Sequence, residues 1–252
     1  MSMLSERMSA LAKLVGTTDV LADVGCDHAF LPIALIQQHQ IERAIAMDLR
    51  SGPLLHASEN IQKAGLEQLI TTRLSDGLEA LQENEASEIV IAGMGGSLIR
   101  KILAHDMEKA RKADACILQP QSEVAEVRQF LDAWGFSFVQ EDMIYEEGKY
   151  YPMMKVSWNG LVEDEEMPSF HEKGGCLSEL ETVFGPLLIQ QKHLVLLQMA
   201  LNQQSFYQEI LVKKYFEFSD SHILMDSDNY TIFYLPVHNS VRLYRFLDPD
   251  LD

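Results

Sequence analysis

The chain has 252 residues, 47% of them hydrophobic, a net charge of −18 and three widely separated cysteines, as expected of a globular protein with one large or two small domains. No apolar run reaches the roughly 18 residues of a membrane span, and the amino terminus lacks the apolar centre of a secretory signal. We therefore expect a cytoplasmic protein without a membrane partner. The cysteine spacing argues against a disulfide framework or a cysteine-based zinc site, and the acidic charge argues against a polyanionic partner unless a local basic patch exists.

The first two thirds of the chain alternate short apolar runs with segments of helical periodicity. Each run is apolar on both faces and ends in polar residues or glycine, which is typical of buried parallel strands. The five runs are VLADVG, RAIAMDL, LITTRLSD, EIVIAGMGG and ACILQPQ. Because helical segments separate them, the pattern predicts a doubly wound α/β sheet with crossover helices.

The pattern changes after residue 135. Two strand-like runs, FSFVQEDMIYEE and KYYPMMKVSW, meet around Gly148 and predict a strand pair that closes the sheet, the second strand being antiparallel. Charged residues, proline and glycine over 159–175 then predict a boundary, so we expect one domain over 1–160 and another over 161–252. The second begins with a helical pattern interrupted at Gly185-Pro186 and is expected to be smaller and mainly helical, although its last aromatic, partly β-like stretch supports no assignment.

Polar residues and glycines gather where the predicted strands end, at the edge where such sheets bind ligands. In chain order they are Asp23, Gly25, Asp27 and His28, then Asp48, then Asp76 and Gly77, then Gly93 to Gly96, then Gln119 to Gln121. Four carboxylates disfavour a dinucleotide pyrophosphate and suit a ligand with a cationic centre, an amine and a ribose. S-adenosylmethionine has all three. Asp48 lies where an acid binds ribose hydroxyls in this architecture, and Asp76 is placed to accept from an adenine amine.

The segments ADVGCDHAFLPI, RAIAMDLRSGPL, SDGLEAL, IAGMGGSLI and LQPQ, in this order and spacing, resemble the bacterial tRNA (adenine-22-N1)-methyltransferases. These are class I enzymes that depend on S-adenosylmethionine. The resemblance covers roughly residues 1–160. It implies a Rossmann-like sheet with a smaller, helical second domain, and methyl transfer to N1 of a tRNA adenine at position 22.

The strand-end positions and the resemblance together imply a set of site residues. The cofactor-binding set is Arg7, Asp23, Gly25, Asp27, His28, Asp48, Asp76, Gly77 and Gly93. The set expected beside the transferred methyl group is Asp27, Gly93, Met94, Gly95 and Gln119. Arg7 is expected to face the cofactor's carboxylate, Tyr150 and Tyr151 to stack on an unpaired or flipped adenine, and no metal is expected. We expect a monomer.

Other interpretations stay open. The acidic charge favours a small-molecule or protein acceptor for the same cofactor, and a degenerate fold would be a non-catalytic scaffold. Asp23 has an alternative role in hydrogen bonding its own loop, and His28 in beginning a helix. Cys26 beside His28 is expected to be a small buried residue rather than a nucleophile, and the glycines of AGMGG either pack helix against strand or admit a ligand.

A basic groove is the remaining requirement of an RNA substrate, because phosphate contacts normally use cationic side chains. The candidate residues are Arg50, Lys63, Arg73, Arg100 and Lys101.

Overall fold

The computed structural model describes residues 4–158, 177–202, 223–227, 230–235 and 240–245. Its helices are α1 Glu6–Val15, α2 Phe30–Gln37, α3 Ser51–Ala64, α4 Gly96–His105, α5 Met107–Lys112, α6 Val124–Ala133, α7 Glu179–Phe184, α8 Pro186–Gln190 and α9 Leu194–Asn202. Its strands are β1 Thr18–Val24, β2 Ile41–Asp48, β3 Ile70–Leu74, β4 Glu88–Met94, β5 Ala115–Pro120, β6 Phe136–Glu146, β7 Lys149–Trp158, β8 Ile223–Ser227, β9 Tyr230–Leu235 and β10 Ser240–Arg245. The chain divides into two compact units, Met1–Val195 and Leu196–Asp252.

The first unit contains a seven-stranded sheet in the order β3-β2-β1-β4-β5-β7-β6. Strands β1 to β5 are parallel, whereas β7 runs antiparallel to both β5 and β6. The predicted doubly wound sheet and its closing strand pair are therefore confirmed. The strand order reverses between β1 and β4, and ligands of open α/β sheets bind at the carboxyl edge beside such a reversal.

The strands are apolar on both faces because helices cover the sheet on each side. In β1 the four residues from Leu21 to Val24 are all buried. Ala22 and Val24 belong to an apolar layer with residues of α4 and α6, whereas Leu21 packs in the opposite layer with α1 and α2. A strand buried on both faces carries no polar alternation, which explains why its sequence reads as a continuous apolar run.

One predicted helix is two helices in the structure. The segment SLIRKILAHDMEKA has unbroken helical periodicity, yet α4 ends at His105 and α5 begins at Met107. Asp106 lies between them with φ −119°, and its carboxylate contacts the Lys109 ammonium at 2.7 Å. The backbone amides of Lys109 and Ala110 donate to the Asp106 carbonyl, so the second helix starts from a turn of its own.

The segment from Leu177 to His193 packs against α6 and β6 of the same unit. The guanidinium of Arg128 on α6 donates to Glu141 on β6 at 3.0 Å, and both side chains are almost fully buried. Arg128 also donates to the carbonyls of Thr182 and Val183 at 3.2 and 3.0 Å. The other Glu141 oxygen accepts from the backbone amide of Leu187 at 2.9 Å.

The predicted interruption at Gly185-Pro186 is confirmed, since α7 ends at Phe184 and α8 begins at Pro186. Gly185 has φ +95°, and a β-carbon there would lie 2.7 Å from the Glu141 carboxylate oxygens. The predicted domain boundary at residue 160 stays a prediction.

The described residues of the second unit include an antiparallel sheet in the order β10-β9-β8. Strands β9 and β10 lie within the aromatic stretch near the carboxyl terminus for which the sequence supports no assignment, and β8 lies just before it. In the part of the chain that the structure describes, no helix has both the length and the apolar character to cross a bilayer.

Candidate active site

A cavity of about 360 Å³ lies at the carboxyl edge of the sheet, beside the reversal between β1 and β4. We call it the strand-end cavity. It is lined by Arg7, Met8, Leu11, Asp23, Gly25, Cys26, Asp27, His28, Phe30, Leu31, Ala92, Gly93, Gln119 and Gln121. Seven predicted site residues are therefore brought together: Arg7, Asp23, Gly25, Asp27, His28, Gly93 and Gln119.

The loop after β1 forms one wall of the strand-end cavity. The amides of Gly25 and Cys26 donate to the Met47 carbonyl on β2 at 2.8 and 2.9 Å, which fixes the turn. Gly25 has φ +78°, and a β-carbon there would collide with the Met94 methyl group. Asp27, which stands where a dinucleotide-binding loop has another glycine, also adopts the left-handed conformation, with φ +43°. Aspartate is one of the few residues with a side chain that tolerates it.

Two carboxylates come close at the end of the central strands. Asp23 is 6% and Asp48 7% exposed. Burial, and then the negative charge of Asp48, raise the pKa of Asp23 to about 7. The Asp48 carboxylate accepts a hydrogen bond from the Arg50 amide at 2.9 Å. Within the described ranges no group donates to the Asp23 carboxylate, so the loop-bonding alternative for this residue has no support.

Two neighbouring buried acids that repel each other form a site that suits a positively charged ligand. A cationic ligand in the strand-end cavity would favour the ionised form of Asp23 and relieve the repulsion from Asp48. Neighbouring Cys26 is buried, and burial together with Asp23, Asp48 and Asp27 raises the pKa of its thiol well above the ordinary value. A thiol held in the neutral form is a poor nucleophile, which agrees with the small-buried-residue interpretation of Cys26.

The opposite wall is built from β4 and β5. Gly93 has φ +76°, and its amide donates to the Gln119 side-chain oxygen at 3.1 Å. Gln119 is fully buried and its amide nitrogen donates to the Pro120 carbonyl at 3.3 Å. Gln119 therefore holds the Gly93 backbone in position from behind.

The glycines of AGMGG have different roles. A β-carbon on Gly96 would lie 2.5 Å from the Ser122 carbonyl oxygen and 2.8 Å from that of Glu123. The Gly96 amide donates to the same Ser122 carbonyl at 3.0 Å. Packing against the start of α6 therefore explains Gly96 without a ligand. A β-carbon on Gly95 would meet only the Ser122 hydroxyl, at 3.3 Å.

Five predicted site residues are not among those that line the strand-end cavity: Asp48, Asp76, Gly77, Met94 and Gly95. Asp48 affects the strand-end cavity through its charge, which raises the pKa of Asp23, and the Met94 methyl group packs against Gly25. Asp76 instead lines a smaller cavity of about 170 Å³ with Lys101 and His105 of α4. Gly77 has φ +56°, and a β-carbon there would lie 2.9 Å from Ile102.

Arg7 and His28 both have ring partners. The Arg7 guanidinium lies 5.1 Å from the centre of the Tyr151 ring, on the strand pair that closes the sheet. The His28 ring is stacked with Phe30 at 5.1 Å and with His56 of α3 at 5.3 Å, and its Nε2 lies 3.7 Å from Asp27. The sequence interpretation missed Phe30 and His56. Phe30 follows the DHA motif closely enough to have been noticed, whereas nothing local marks His56.

Candidate cations of the basic groove have acidic neighbours, and the groove itself stays a prediction. Arg73 makes a two-pronged ion pair with Glu85, at 2.7 and 2.8 Å. Arg100 lies 3.5 Å from Glu123. The Arg50 guanidinium lies 3.8 Å from Asp48, so three of the five candidate cations have a carboxylate partner. In the described segments, no group of three or more histidine, cysteine, aspartate or glutamate side chains is arranged to hold a metal ion.

Comparison with known proteins identifies the fold and the family. The family model described as a methyltransferase domain matches residues 4–154. The tRNA (adenine(22)-N(1))-methyltransferase of Bacillus subtilis (strain 168) is 32% identical over 211 residues, covering 82% of this chain and 85% of that protein.

Solved structures agree with this assignment. Sp1610 of Streptococcus pneumoniae in complex with S-adenosyl-L-methionine has a TM-score of 0.70 and 34% identity, covering 84% of this chain and 96% of that one. The B. subtilis m1A22 tRNA methyltransferase TrmK has a TM-score of 0.68 and 28% identity, covering 85% of this chain and 94% of that one. The seven-stranded sheet, the strand-end cavity and the relatives lead to one conclusion: the chain belongs to the tRNA (adenine(22)-N(1))-methyltransferase family, within the methyltransferase-domain proteins.

Proposed function

We propose that this protein transfers a methyl group from S-adenosylmethionine to N1 of an adenine in tRNA, at the position 22 that the name of its B. subtilis relative specifies. The observation that carries the proposal is the Asp23 carboxylate, buried in the strand-end cavity beside Asp48 without a hydrogen-bond donor in the described residues. This pair of acids suits a cationic methyl donor and repels a phosphorylated nucleotide.

The residues of the strand-end cavity fit this cofactor. Asp23 and Asp27 would face its positive charges, and Arg7 its carboxylate. Asp48, beside Asp23, would accept from the ribose hydroxyls, and Asp76, in the smaller cavity, from the adenine amine. Gly25 and Gly93 keep the walls free of side chains, and Gln119 holds the Gly93 amide in position.

The chemistry requires alignment more than base catalysis. When bound, S-adenosylmethionine supplies an electrophilic methyl group on a sulfonium. The in-plane lone pair of adenine N1 needs no deprotonation; the N1–carbon bond forms as the carbon–sulfur bond breaks, and S-adenosylhomocysteine leaves. Holding the reacting atoms in line lowers the activation barrier by on the order of 7–11 kcal/mol. The methylated base is cationic until N6 loses a proton, and Asp27, whose side chain is 66% exposed at the strand-end cavity, is the proposed acceptor.

The target base must leave its helical stack to reach the strand-end cavity, at a cost of roughly a few kcal/mol. Tyr150 and Tyr151 were predicted to stack on it. The Arg7 guanidinium already lies over Tyr151, and the Tyr150 ring is 4.8 Å from that of Tyr145. Neither tyrosine is among the residues that line the strand-end cavity, and their role in stacking stays a prediction. The protein is proposed to act as a monomer.

The test is methyl transfer from radiolabelled S-adenosylmethionine to an unmodified tRNA transcript, with nuclease digestion and identification of the labelled nucleoside. We expect label in 1-methyladenosine, its loss with a transcript carrying guanine at position 22, and its loss with Asp48→Ala. Asp19→Asn is the matched control, because Asp19 is an exposed acid at the other end of β1.

If calorimetry shows cofactor binding but no label is transferred to the tRNA, the RNA substrate is refuted, and small-molecule or protein acceptors become the candidates. No cofactor binding by the wild-type protein would refute the methyltransferase proposal as a whole.

A further inference from the structure

Three aromatic rings form a near-parallel stack at the mouth of the strand-end cavity. The His28 ring lies 5.1 Å from Phe30 with an interplanar angle of 17°, and 5.3 Å from His56 with an angle of 10°. His28 is therefore the middle ring, and Phe30 and His56 are the outer ones. We call these three residues the ring stack.

The fold itself does not account for the ring stack. Phe30 is the first residue of α2, yet 44% of it is exposed, so its ring is not a core side chain. A single exposed apolar side chain is common on protein surfaces. What distinguishes Phe30 is that its half-exposed ring is stacked on His28 and lines the strand-end cavity.

Contacts with neighbouring residues position the ring stack. The Asn60 amide of α3 donates to the His28 carbonyl at 3.1 Å, which ties the loop to the helix that carries His56. Asp27 lies 3.7 Å from the His28 ring on its edge. The plane of the Phe30 ring is thus set from one side by His28, and its remaining exposed surface is available to another ring.

The position of Phe30 in the strand-end cavity indicates which ring it would contact. Phe30 and His28 line the same cavity as Asp23, Asp27 and Gly93, the residues placed around the methyl donor. Aromatic side chains that receive unstacked bases do so by offset parallel stacking. Resting on the proposed function, we propose that Phe30 receives the target adenine of the tRNA, with His28 and His56 as the support that orients its ring.

The experiment compares Phe30→Leu with Phe30→Tyr, measuring kcat/KM for tRNA and cofactor affinity by calorimetry. Phe30→Leu keeps an apolar side chain but loses the flat ring, and is expected to lower kcat/KM roughly 5- to 150-fold, the loss that follows from removing one base–aromatic stack. Phe30→Tyr is expected to restore most of it, and cofactor affinity to stay unchanged in both. His56→Ala is expected to cause a smaller loss. Val139→Ala is the matched control, an exposed apolar residue of β6 that does not line the strand-end cavity.

A second readout reports the stack directly. With 2-aminopurine in place of the target adenine, binding to the wild-type protein should raise the fluorescence as the base leaves its neighbouring bases, and the rise should be smaller with Phe30→Leu, which lacks the ring that holds the unstacked base. Thermal unfolding of each variant checks that the fold is retained.

The outcomes separate the two proposals. An active wild type with an equally active Phe30→Leu overturns the adenine-stacking role alone. A Phe30→Leu loss that comes with weakened cofactor binding also overturns it, because the ring would then belong to the cofactor site. A wild type that binds cofactor and leaves tRNA unlabelled overturns both proposals.

Discussion

Replacing Asp23 with asparagine should make the ligand-free protein more stable and the enzyme worse. The Asp23 carboxylate is buried beside Asp48 with no donor in the described residues, and its pKa is raised from 3.8 to about 7. The folded protein therefore holds a proton on Asp23 over a pH range in which the unfolded chain has released it. Asparagine has nearly the same shape and carries no charge at any pH.

The size of the effect follows from linkage. A pKa of about 7 in the folded state against 3.8 in the unfolded state corresponds to about 4 kcal/mol, at roughly 1.36 kcal/mol per pKa unit. The folded protein binds more protons than the unfolded chain between these values, so its stability falls as the pH rises from about 4 to about 7, and the whole cost is present above 7. Relaxation of the loop reduces it, so about 4 kcal/mol is an upper bound.

The assay is urea denaturation of the wild type, Asp23→Asn and the exposed control Asp19→Asn, each at pH 5 and pH 8 without cofactor. We expect Asp23→Asn to exceed the wild type clearly in unfolding free energy at pH 8, by less at pH 5, and Asp19→Asn to match the wild type at both. Calorimetry at pH 8 should show the opposite order for S-adenosylmethionine, with Asp23→Asn binding roughly 10- to 150-fold more weakly through loss of one charged hydrogen bond.

Two results would refute the reasoning. A ligand-free Asp23→Asn that is less stable than the wild type at pH 8 would mean that the carboxylate has a stabilising partner. A stability difference that does not change between pH 5 and pH 8 would mean that Asp23 does not titrate in this range.

Three further predictions concern the loop, the buried ion pair and the RNA. Gly25→Ala should destabilise the fold by more than the ~1–2 kcal/mol of a left-handed alanine and should also weaken cofactor binding, because its methyl group meets Met94. The control Gly65→Ala, with φ +69°, ψ +32° and open space around it, should show the backbone cost alone in denaturant unfolding. Glu141→Gln should cost roughly 3–5 kcal/mol of unfolding free energy by leaving the Arg128 guanidinium buried without its counter-charge. Arg128→Met combined with Glu141→Leu should recover only part of that loss, because the carbonyls of Thr182 and Val183 and the amide of Leu187 then lose their partners; equal stabilities of the single and double variants would contradict this account. The affinity for tRNA, measured by filter binding between about 50 and 200 mM salt, should fall steeply if cationic side chains hold the phosphates, whereas a flat profile would show that base contacts dominate in this acidic protein.

The sheet was predictable from the sequence because each buried strand is a continuous apolar run, and the residues at the strand ends follow from those runs. The ion pair between Arg128 and Glu141 was not predictable in the same way. Charged residues normally lie in water, and nothing in the sequence around either one signals that residues 182–188 complete their hydrogen bonds. The ion pairs of Arg50, Arg73 and Arg100 were not predictable for a related reason, since the sequence does not tell which carboxylate an arginine will meet.

The candidate site shows the same division. Gly25 and Asp27 were found because the loop that follows a buried strand has a recognisable pattern. The roles of Gly96 and Gln119 depend on which atoms lie behind them, Ser122 in one case and Gly93 in the other, and only the three-dimensional structure reveals that. The stack of His28 on His56 joins the loop after β1 to α3, and no local periodicity encodes that contact.

The ion pair between Arg128 and Glu141 also bears on the order in which the nascent chain completes its fold. Both residues have been synthesised once the strand pair is finished at Trp158, but the carbonyls of Thr182 and Val183 and the amide of Leu187 follow 24 to 29 residues later. Until then a buried guanidinium and carboxylate lack most of the hydrogen bonds that offset their desolvation. All seven strands of the sheet are therefore synthesised before the buried ion pair has its full set of hydrogen bonds. The shortest fragment that folds stably is expected to include α8 rather than to end with β7.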